Sequence, residues 1–373
     1  MDSSCGVFGI ILCQAAFRLE TYNERRSPPV NHSTIAVDLA KSVFEIAVST
    51  HAGHVSEHYR LSRPRFELFF AERQPATVLF EACGSAHHWA RELRGLGHTV
   101  ILLPPHTVRP YAVRNKTDRA DAKALLEAFR NKDIHAVPIK SIDQQVMASL
   151  HRYRSAYIAN RTARINTTRG VLREIGIFIP QGSSRIIPAV RALIEDPESS
   201  IPPALRPTLR EASAEILHFD TRIRDIVHEI EALAAEDPII RRLRTVPGIG
   251  LLTATALVAF IGDIHRFPSG RHFASFLGLT PREHSSGLIR RLGSISKRGD
   301  PYLRMLLIHG ARSVLWAAKR RERPNRLQAW ALERQCERGH NKAAVALANK
   351  LARIAWAVWS KDRNFELIEE VTE

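Results

Sequence analysis

The segment STIAVDLAKSVFEIAVSTHAGHVSEHYRL, residues 33–61, decides the fold of the N-terminal part of the chain. An apolar run leads through Ile35 and Val37 into Asp38, and VFEIAVS follows after a short turn. The loop HAGH contains a glycine, so the pattern predicts a β-hairpin within a group of two or three strands.

Alternating strands and a helix follow this hairpin. ATVLFEA, residues 76–82, predicts a buried strand ending at Glu81, and HTVILLPP, residues 98–105, predicts another strand closed by two prolines. Between them, residues 86–97 have helical periodicity and a glycine stop. The order predicts an α/β domain with a mixed sheet over residues 31–140.

Two acidic residues share one face of the next predicted helix. KTDRADAKALLEAFRNK, residues 116–132, has helical periodicity, and Asp118 and Asp121 are neighbours at spacing i, i+3. Lys116 and Arg119 stand among them and are candidates to hold nucleic acid. The predicted apolar face consists of Leu125, Leu126 and Phe129.

Four acids are therefore candidates for one site: Asp38, Glu81, Asp118 and Asp121. A carboxylate at a buried strand end is costly unless it is paired or binds a metal. If the strand ends and the helix converge, these oxygens suit Mg²⁺ or Mn²⁺. Two such metals can clamp a phosphodiester. Taken singly, each acid also fits a helix cap, a helix dipole or an arginine pair.

The charge of the chain points to its partners. The 373 residues carry a formal net charge of +16, which favours nucleic acid or an anionic membrane. Nucleic acid is preferred because no apolar run reaches the ~20 residues that span a bilayer. The four cysteines form no CxxC pair, which fits a reducing, cytoplasmic compartment. Residues 1–30 are interpreted as a leader that is either a disordered extension or the result of a start codon assigned too early.

The middle of the chain, residues 141–237, predicts a helical coiled-coil arm. Ile158, Ile165 and Leu172 recur every seven residues, and a second helix at about 209–235 could pair antiparallel with the first. The proline- and serine-rich segments between these helices predict loops. Arginines crowd the first helix and fit either a solvated face or a nucleic-acid contact. The candidates for that contact are Arg154, Arg161 and Arg164.

Residues 238–360 predict a mostly helical C-terminal domain, followed by a tail at 361–373. Its PGIG turn, with Gly248 and Gly250, resembles a helix-hairpin-helix in which backbone N–H groups hold a phosphate. The same turn also serves in plain helix packing. Two long helices are predicted near the C-terminus, with the cationic stretch KRRERPNR between them.

A predicted loop in this domain, PREHSSGLIRRLGSISKRGD, combines serines with basic residues. Ser285 and Ser286 precede a glycine, which is ordinary loop chemistry. A serine among arginines could also attack phosphorus while the cations stabilise the developing charge. The basic candidates for phosphate contacts are Arg282, Arg290, Arg291, Lys297 and Arg298.

The succession AVDLAK, FEACGSAHHWARELRGLGH, NKTDRADAKAL, TVPGIGLLTATAL, FASFLGLTPREHSSG and GSISKRGDPYLRMLL resembles the DEDD transposases of bacterial insertion sequences. The resemblance is to the insertion-sequence one-ten family with its eleven-eleven subgroup, from about residue 33 to about 358. It implies a RuvC-like, ribonuclease H-type fold for the first domain and a transposase domain at the C-terminus. The family's four acids would fall on Asp38, Glu81, Asp118 and Asp121.

The same resemblance implies a mechanism and partners. The serine nucleophile would be Ser286, directly before the glycine, with Ser285 left open by the doublet. The enzyme would be a Mg²⁺-dependent recombinase that acts on double-stranded DNA in the nucleoid. A structured noncoding bridge RNA would guide it, and acidic and serine sites from different subunits of a homodimer or homotetramer would meet.

Three rival functions remain open at this stage. A resolvase-type metal-dependent nuclease would cut DNA without a covalent intermediate. A non-catalytic nucleic-acid-binding remnant would bind DNA with a steep salt dependence. A hydrolase pairing Ser286 with His284 is disfavoured because the chain lacks a GxSxG elbow.

Overall fold

The computed structural model describes residues 33–51, 54–112 and 117–366. The predicted leader therefore lies outside the described residues, as do Lys116 and the end of the tail. The chain divides after Val137 into two compact units, Met1–Val137 and Pro138–Glu373. Among the described residues, no helix has the length and apolar character needed to cross a membrane.

A five-stranded mixed sheet forms the first unit, as the sequence predicts. The strand order is β3-β2-β1-β4-β5. The first three strands pair antiparallel as a meander, and β1, β4 and β5 run parallel. The order and directions are consistent with a ribonuclease H-like fold. The strands are β1 (Thr34–Leu39), β2 (Val43–Ser49), β3 (Glu57–Ser62), β4 (Thr77–Glu81) and β5 (Thr99–Leu103).

The two faces of this sheet bury different side chains. One face holds an aromatic cluster in which Phe44 and Phe66 stack at 4.5 Å between ring centroids, with Trp89 beside both. On the other face the small side chains of Ala36 and Ala47 lie in the core formed with helix α4. The helices are α1 (Arg63–Ala71), α2 (Ala86–Gly95), α3 (Pro105–Val108) and α4 (Asp118–Phe129).

Two details of the first unit differ from the prediction. Helix α1 was not anticipated, although Pro64 stands at its first turn and Phe66 and Phe70 are buried by it. Phe129, assigned to the apolar face of α4, is 38% exposed because the helix ends at this residue and its packing stops there. Leu125 and Leu126 are buried, as expected.

The second unit begins with a long antiparallel helix pair, α5 (Ile142–Glu174) and α7 (Arg206–Ala234). Ile165 and Leu172 of the predicted seam are buried in its core. The segment predicted as a loop after α5 instead contains helix α6 (Ser183–Glu195), with Pro188 inside it. Ile186 and Val190 are buried against the same core, so packing outweighs the cost of the proline.

The rest of the second unit is a helical domain that carries one β-hairpin. Its hairpin, β6 (Pro281–Glu283) and β7 (Leu292–Ile295), replaces the predicted loop. Three helices, not two, close the domain, because the Asn325 side chain and Gln328 form a capping box at the end of the cationic stretch. The helices are α8 (Pro238–Leu243), α9 (Leu251–Ile261), α10 (Gly270–Phe276), α11 (Pro301–Ala318), α12 (Arg326–Arg338) and α13 (His340–Ser360).

Candidate functional site

Two of the predicted acids lie side by side at the edge of the first unit's sheet. Strands β1 and β4 are parallel, and their register pairs Val37 with Phe80. Asp38 and Glu81 are the next residue on each strand, so both stand at the carboxyl ends of neighbouring strands. Because side chains alternate along a strand, Asp38 shares the face of Ala36, which packs towards α4.

Helix α4 brings a third acid to this edge. The Thr117 side chain caps the helix by accepting a hydrogen bond from the Ala120 N–H at 3.2 Å. Ala122 and Leu125 bury one face against the sheet, and Asp121 is half-buried beside them. The backbone of Asp118 opens the helix, whereas its side chain lies outside the described residues.

One cavity of about 1040 Å³ gathers these groups. Asp38, Glu81 and Asp121 line it together, so the structure brings three of the four predicted acids to one space. His106 and Arg109 line the same cavity. Neither residue was predicted from the sequence, although both follow β5, whose carboxyl end lies at the same edge as those of its parallel neighbours.

The chemistry of this cavity fits a hard divalent cation. Its three carboxylates are oxygen donors of the kind that Mg²⁺ and Mn²⁺ prefer. Within the described part of the chain, no three His, Cys, Asp or Glu side chains already stand close enough to hold a metal ion. The three carboxylates are therefore chemically suitable ligands for a divalent cation. Among the described side chains, they are not yet close enough together to coordinate one.

Arg119 occupies the exposed side of α4's first turn. It is near enough to strand β3 to affect His58, since burial first and the Arg119 charge second lower the pKa of that histidine. The other basic candidate of this segment, Lys116, lies outside the described residues. Arg119 therefore lies towards the β3 side of the sheet and is not among the residues that line the acidic cavity.

The predicted serine stands at the tip of the β6–β7 hairpin. Ser286 and Ile289 exchange backbone hydrogen bonds of 3.3 and 3.2 Å across a four-residue turn. Gly287 within the turn has a φ of +57°, a conformation that L side chains rarely adopt. The tip is exposed, and the Leu288 side chain projects fully into solvent.

The two serines of the doublet have different surroundings. The Ser285 hydroxyl donates to Glu283 Oε1 at 2.7 Å and accepts from the Arg291 N–H at 3.1 Å. Glu283 also forms an ion pair with Arg290 at 3.5 Å. Through these two hydrogen bonds the Ser285 side chain links the two sides of the hairpin. Ser286 stands one residue further towards the tip and is exposed.

The basic residues of the hairpin region form an exposed cationic surface. Arg282, Arg291 and Arg298 are all exposed, and Arg282 donates to the Ser296 carbonyl at 3.3 Å. Arg290 and Lys297 are exposed as well. All five predicted cations therefore belong to one stretch around the serine turn.

The PGIG turn has a packing explanation. Gly248 has a φ of +84°, and a Cβ placed there would meet the Gly310 carbonyl and Val314 of α11 at 2.8 Å. The close approach of the two backbones thus explains why a glycine stands at position 248, and no bound phosphate is needed to explain it. Gly250 is exposed and precedes α9, so a phosphate contact there remains a prediction.

The arm arginines have partners within the second unit. Arg161 pairs with Asp220 and Arg164 pairs with Glu215, both across the α5–α7 interface. Arg154 lies beside Tyr302, whose pKa is raised by burial and lowered in part by the Arg154 charge. These contacts explain the three arginines as part of the arm's framework, which makes them weaker candidates for a phosphate contact than the hairpin cations.

Comparison with known proteins agrees with both halves of this description. Residues 35–177 match a family model described as a transposase of the DEDD IS110 type. Residues 240–328 match the model described as "Transposase IS116/IS110/IS902 family".

Curated relatives are similar over nearly their whole length. A probable family 20 transposase of Pseudomonas aeruginosa is 42% identical over 89% of this chain and 98% of its own. The transposase for insertion sequence element IS1111A of Coxiella burnetii is 36% identical over 96% of this chain and 97% of its own. The IS1328 transposase of Yersinia enterocolitica is 36% identical over 90% and 99%.

Proposed function

The chain belongs to the IS116/IS110/IS902 family of insertion-sequence transposases, and we propose that it recombines DNA with an acidic site in the first unit and a serine nucleophile in the second. The observation that carries this proposal is the shared cavity of Asp38, Glu81 and Asp121. Three carboxylates that line one cavity carry like charges, and a bound cation would offset the repulsion between them.

The acid site is the proposed centre for activating the scissile phosphate. Asp38, Glu81 and Asp121 would hold Mg²⁺ or Mn²⁺ together with Asp118, the remaining acid of the predicted tetrad. A bound divalent ion supplies Lewis-acid stabilisation of the charge that develops on the phosphate oxygens. The side chain of Arg109 lines the same cavity and can attract that phosphate.

Ser286 is the proposed nucleophile. Its Oγ loses a proton and bonds to phosphorus, while the bond from phosphorus to one deoxyribose oxygen breaks and that oxygen takes up a proton. A deoxyribose hydroxyl of the other DNA then reverses the step and releases the serine. Each exchange conserves the number of phosphate ester bonds, so rejoining requires no nucleotide cofactor. The exposure of the turn supports access to a bulky duplex.

The proposed partners follow from the family and the charge. Double-stranded DNA of the element ends and target is the substrate, and a structured noncoding bridge RNA is the proposed guide. The net charge of +16 suits both. A homodimer or homotetramer would let acidic and serine sites of different subunits meet, and the cytoplasm is the expected compartment.

A covalent-capture assay tests this function. The full chain is mixed with RNA transcribed from the element's flank, donor and target DNA and Mg²⁺, and is then denatured in detergent. DNA that migrates with protein reports the adduct. Ser286→Ala and Asp121→Asn are compared with Asp133→Asn, an exposed aspartate of the same unit as Asp121.

Three outcomes separate the candidates. An adduct that is lost in Ser286→Ala and Asp121→Asn, and kept in Asp133→Asn, supports the proposal. Cut DNA without an adduct, still formed by Ser286→Ala, would instead identify a metal-dependent nuclease. Bound RNA and DNA with no cleavage would identify a non-catalytic binder.

A further inference from the structure

A groove runs along one side of α13 in the second unit. Two cavities of about 880 and 570 Å³ adjoin there, and both are lined by Lys350 and Arg353. Trp330 of α12 forms one wall, and strand β7 forms another. The Asn349 side chain donates to the Leu279 carbonyl at 3.1 Å and so fixes the base of the hairpin against α13.

The groove is cationic. Arg271 and Lys342 line it in addition to Lys350 and Arg353, and among its described lining residues there is no aspartate or glutamate. Burial, and after it the charges of Arg326 and Arg353, lower the pKa of Lys350. Like charges held together without an acid disfavour the fold, and an anionic ligand would relieve that repulsion.

An aromatic ring lies among these cations. The Lys350 Nζ stands 4.1 Å from the centroid of the Trp330 ring. The half-buried indole borders the larger cavity next to Val345 and Ile295. A flat ring beside cationic side chains is the combination that binds single-stranded nucleic acid, since a base stacks on the ring and phosphates meet the cations.

The length of the groove suits a polymer. Lys342, Lys350 and Arg353 lie along one helix, and the eleven steps from Lys342 to Arg353 span about 16 Å at the helical rise per residue. At about 3.4 Å per nucleotide in a stacked strand, this length accommodates on the order of five nucleotides.

We propose that this groove binds a single strand of DNA, with phosphates on Lys342, Lys350 and Arg353 and one base against Trp330. The hairpin that forms its wall also carries Ser286, so a strand that leaves the serine can continue along the groove. The choice of DNA over RNA rests on the proposed function, in which Ser286 attacks a DNA strand. The groove would hold that strand while the ends are exchanged.

Binding to a labelled 12-nucleotide oligodeoxythymidine tests the proposal. The full chain carries Ser286→Ala, and EDTA is present, so that no chemistry occurs. Anisotropy is measured at several salt concentrations for Trp330→Ala, Trp330→Phe and the double variant Lys350→Ala with Arg353→Ala. Trp316→Ala is the matched control, because Arg320 lies over that exposed ring at 3.5 Å outside the groove.

We expect Trp330→Ala to weaken binding about tenfold, the factor for losing one base–aromatic stack. Trp330→Phe should retain most of the affinity, because its smaller ring still presents a face on which a base can stack. The double variant should reduce the salt slope by about 1.4, at about 0.7 per phosphate of a single strand. Trp316→Ala should bind as the parent does.

Photocrosslinking locates the contact. A 5-iododeoxyuridine oligomer is expected to mark the tryptic peptide 327–334, which contains Trp330. Equal affinities for all variants with no mark on this peptide would overturn the proposal. A mark from an RNA 12-mer alone would overturn it as well and assign the groove to RNA. Strand binding in this assay does not need Ser286. If the groove binds DNA but the covalent-capture assay on the chain that retains Ser286 yields no adduct, the proposed function is rejected and the groove proposal stands.

Discussion

Acidification from pH 8 to pH 5 is expected to cost the second unit about 2 kcal/mol of unfolding free energy through one buried histidine, His151. The side chain is 1% exposed. Its Nδ1 lies 2.9 Å from the Tyr302 hydroxyl and its Nε2 lies 3.0 Å from Thr255 Oγ1. The Thr255 hydroxyl donates to the Leu251 carbonyl at 2.7 Å, so its oxygen is left to accept from Nε2–H. Nδ1 then accepts from Tyr302, and the network requires a neutral ring.

The magnitude follows from the pKa. Burial, aided by the Arg154 charge, lowers the pKa of His151 from its ordinary 6.5 to about 4. Between these values the unfolded chain binds a proton that the folded chain excludes, so stability is full above pH 6.5 and falls as the pH drops. The difference between a pKa of 6.5 in the unfolded chain and about 4 in the folded chain lowers the unfolding free energy by about 3.4 kcal/mol below pH 4, and about 2 kcal/mol of this is lost by pH 5.

Urea unfolding of wild type and His151→Gln at both pH values measures this cost. Intrinsic fluorescence reports mainly on the second unit, which holds four of the five tryptophans. The variant should be less stable at pH 8 but lose about 2 kcal/mol less than wild type on acidification. His309→Gln, an exposed histidine on α11, is the control and should follow wild type. Equal losses in wild type and His151→Gln would show that protonation of His151 does not cause the loss of stability.

Two further predictions concern packing and the arm. Gly310→Ala should lower the unfolding free energy by at least about 2 kcal/mol in thermal denaturation, because the new Cβ collides with the Gly248 carbonyl oxygen. Gly170→Ala in α5, where a Cβ meets nothing within 4 Å, should instead be neutral or stabilising by up to about 1 kcal/mol. A double-mutant cycle on Arg161 and Asp220 should give a coupling energy of about 0.5–1 kcal/mol that decreases in high salt. A coupling energy of zero at low salt would contradict an ion pair between α5 and α7.

The sheet and its acids could be predicted because their signals are local. Alternation and apolar runs locate β1 and β4, and their acids stand at the strand ends whatever the later packing. The amphipathic pattern of α4 then places Asp121 on a helix that must cover the sheet. The position of Arg109 could not be predicted from the sequence. Whether it lines the cavity depends on which loop lies next to the cavity, and the order of the strands in the sheet decides this.

Features that depend on distant contacts could not be predicted. Pro188 and the serines around it indicate a loop, yet burial of Ile186 and Val190 favours a helix. The difference between Ser285 and Ser286 arises from the hydrogen bonds of a hairpin whose strands are exposed except at Ile295 and carry no alternating burial pattern. The pairing of Arg161 with Asp220, 59 residues away, likewise could not be predicted, because it depends on the antiparallel packing of α5 and α7.

Mass spectrometry of the trapped adduct shows whether a serine hydroxyl of the hairpin becomes bonded to DNA. After nuclease and trypsin digestion, the peptide EHSSGLIR, residues 283–290, contains both serines. In samples that contain RNA, DNA and Mg²⁺, peptide fragmentation is predicted to show a covalently attached nucleotide on Ser286 and an unmodified Ser285. An unmodified peptide from reactions in which DNA strands have been exchanged would contradict the account.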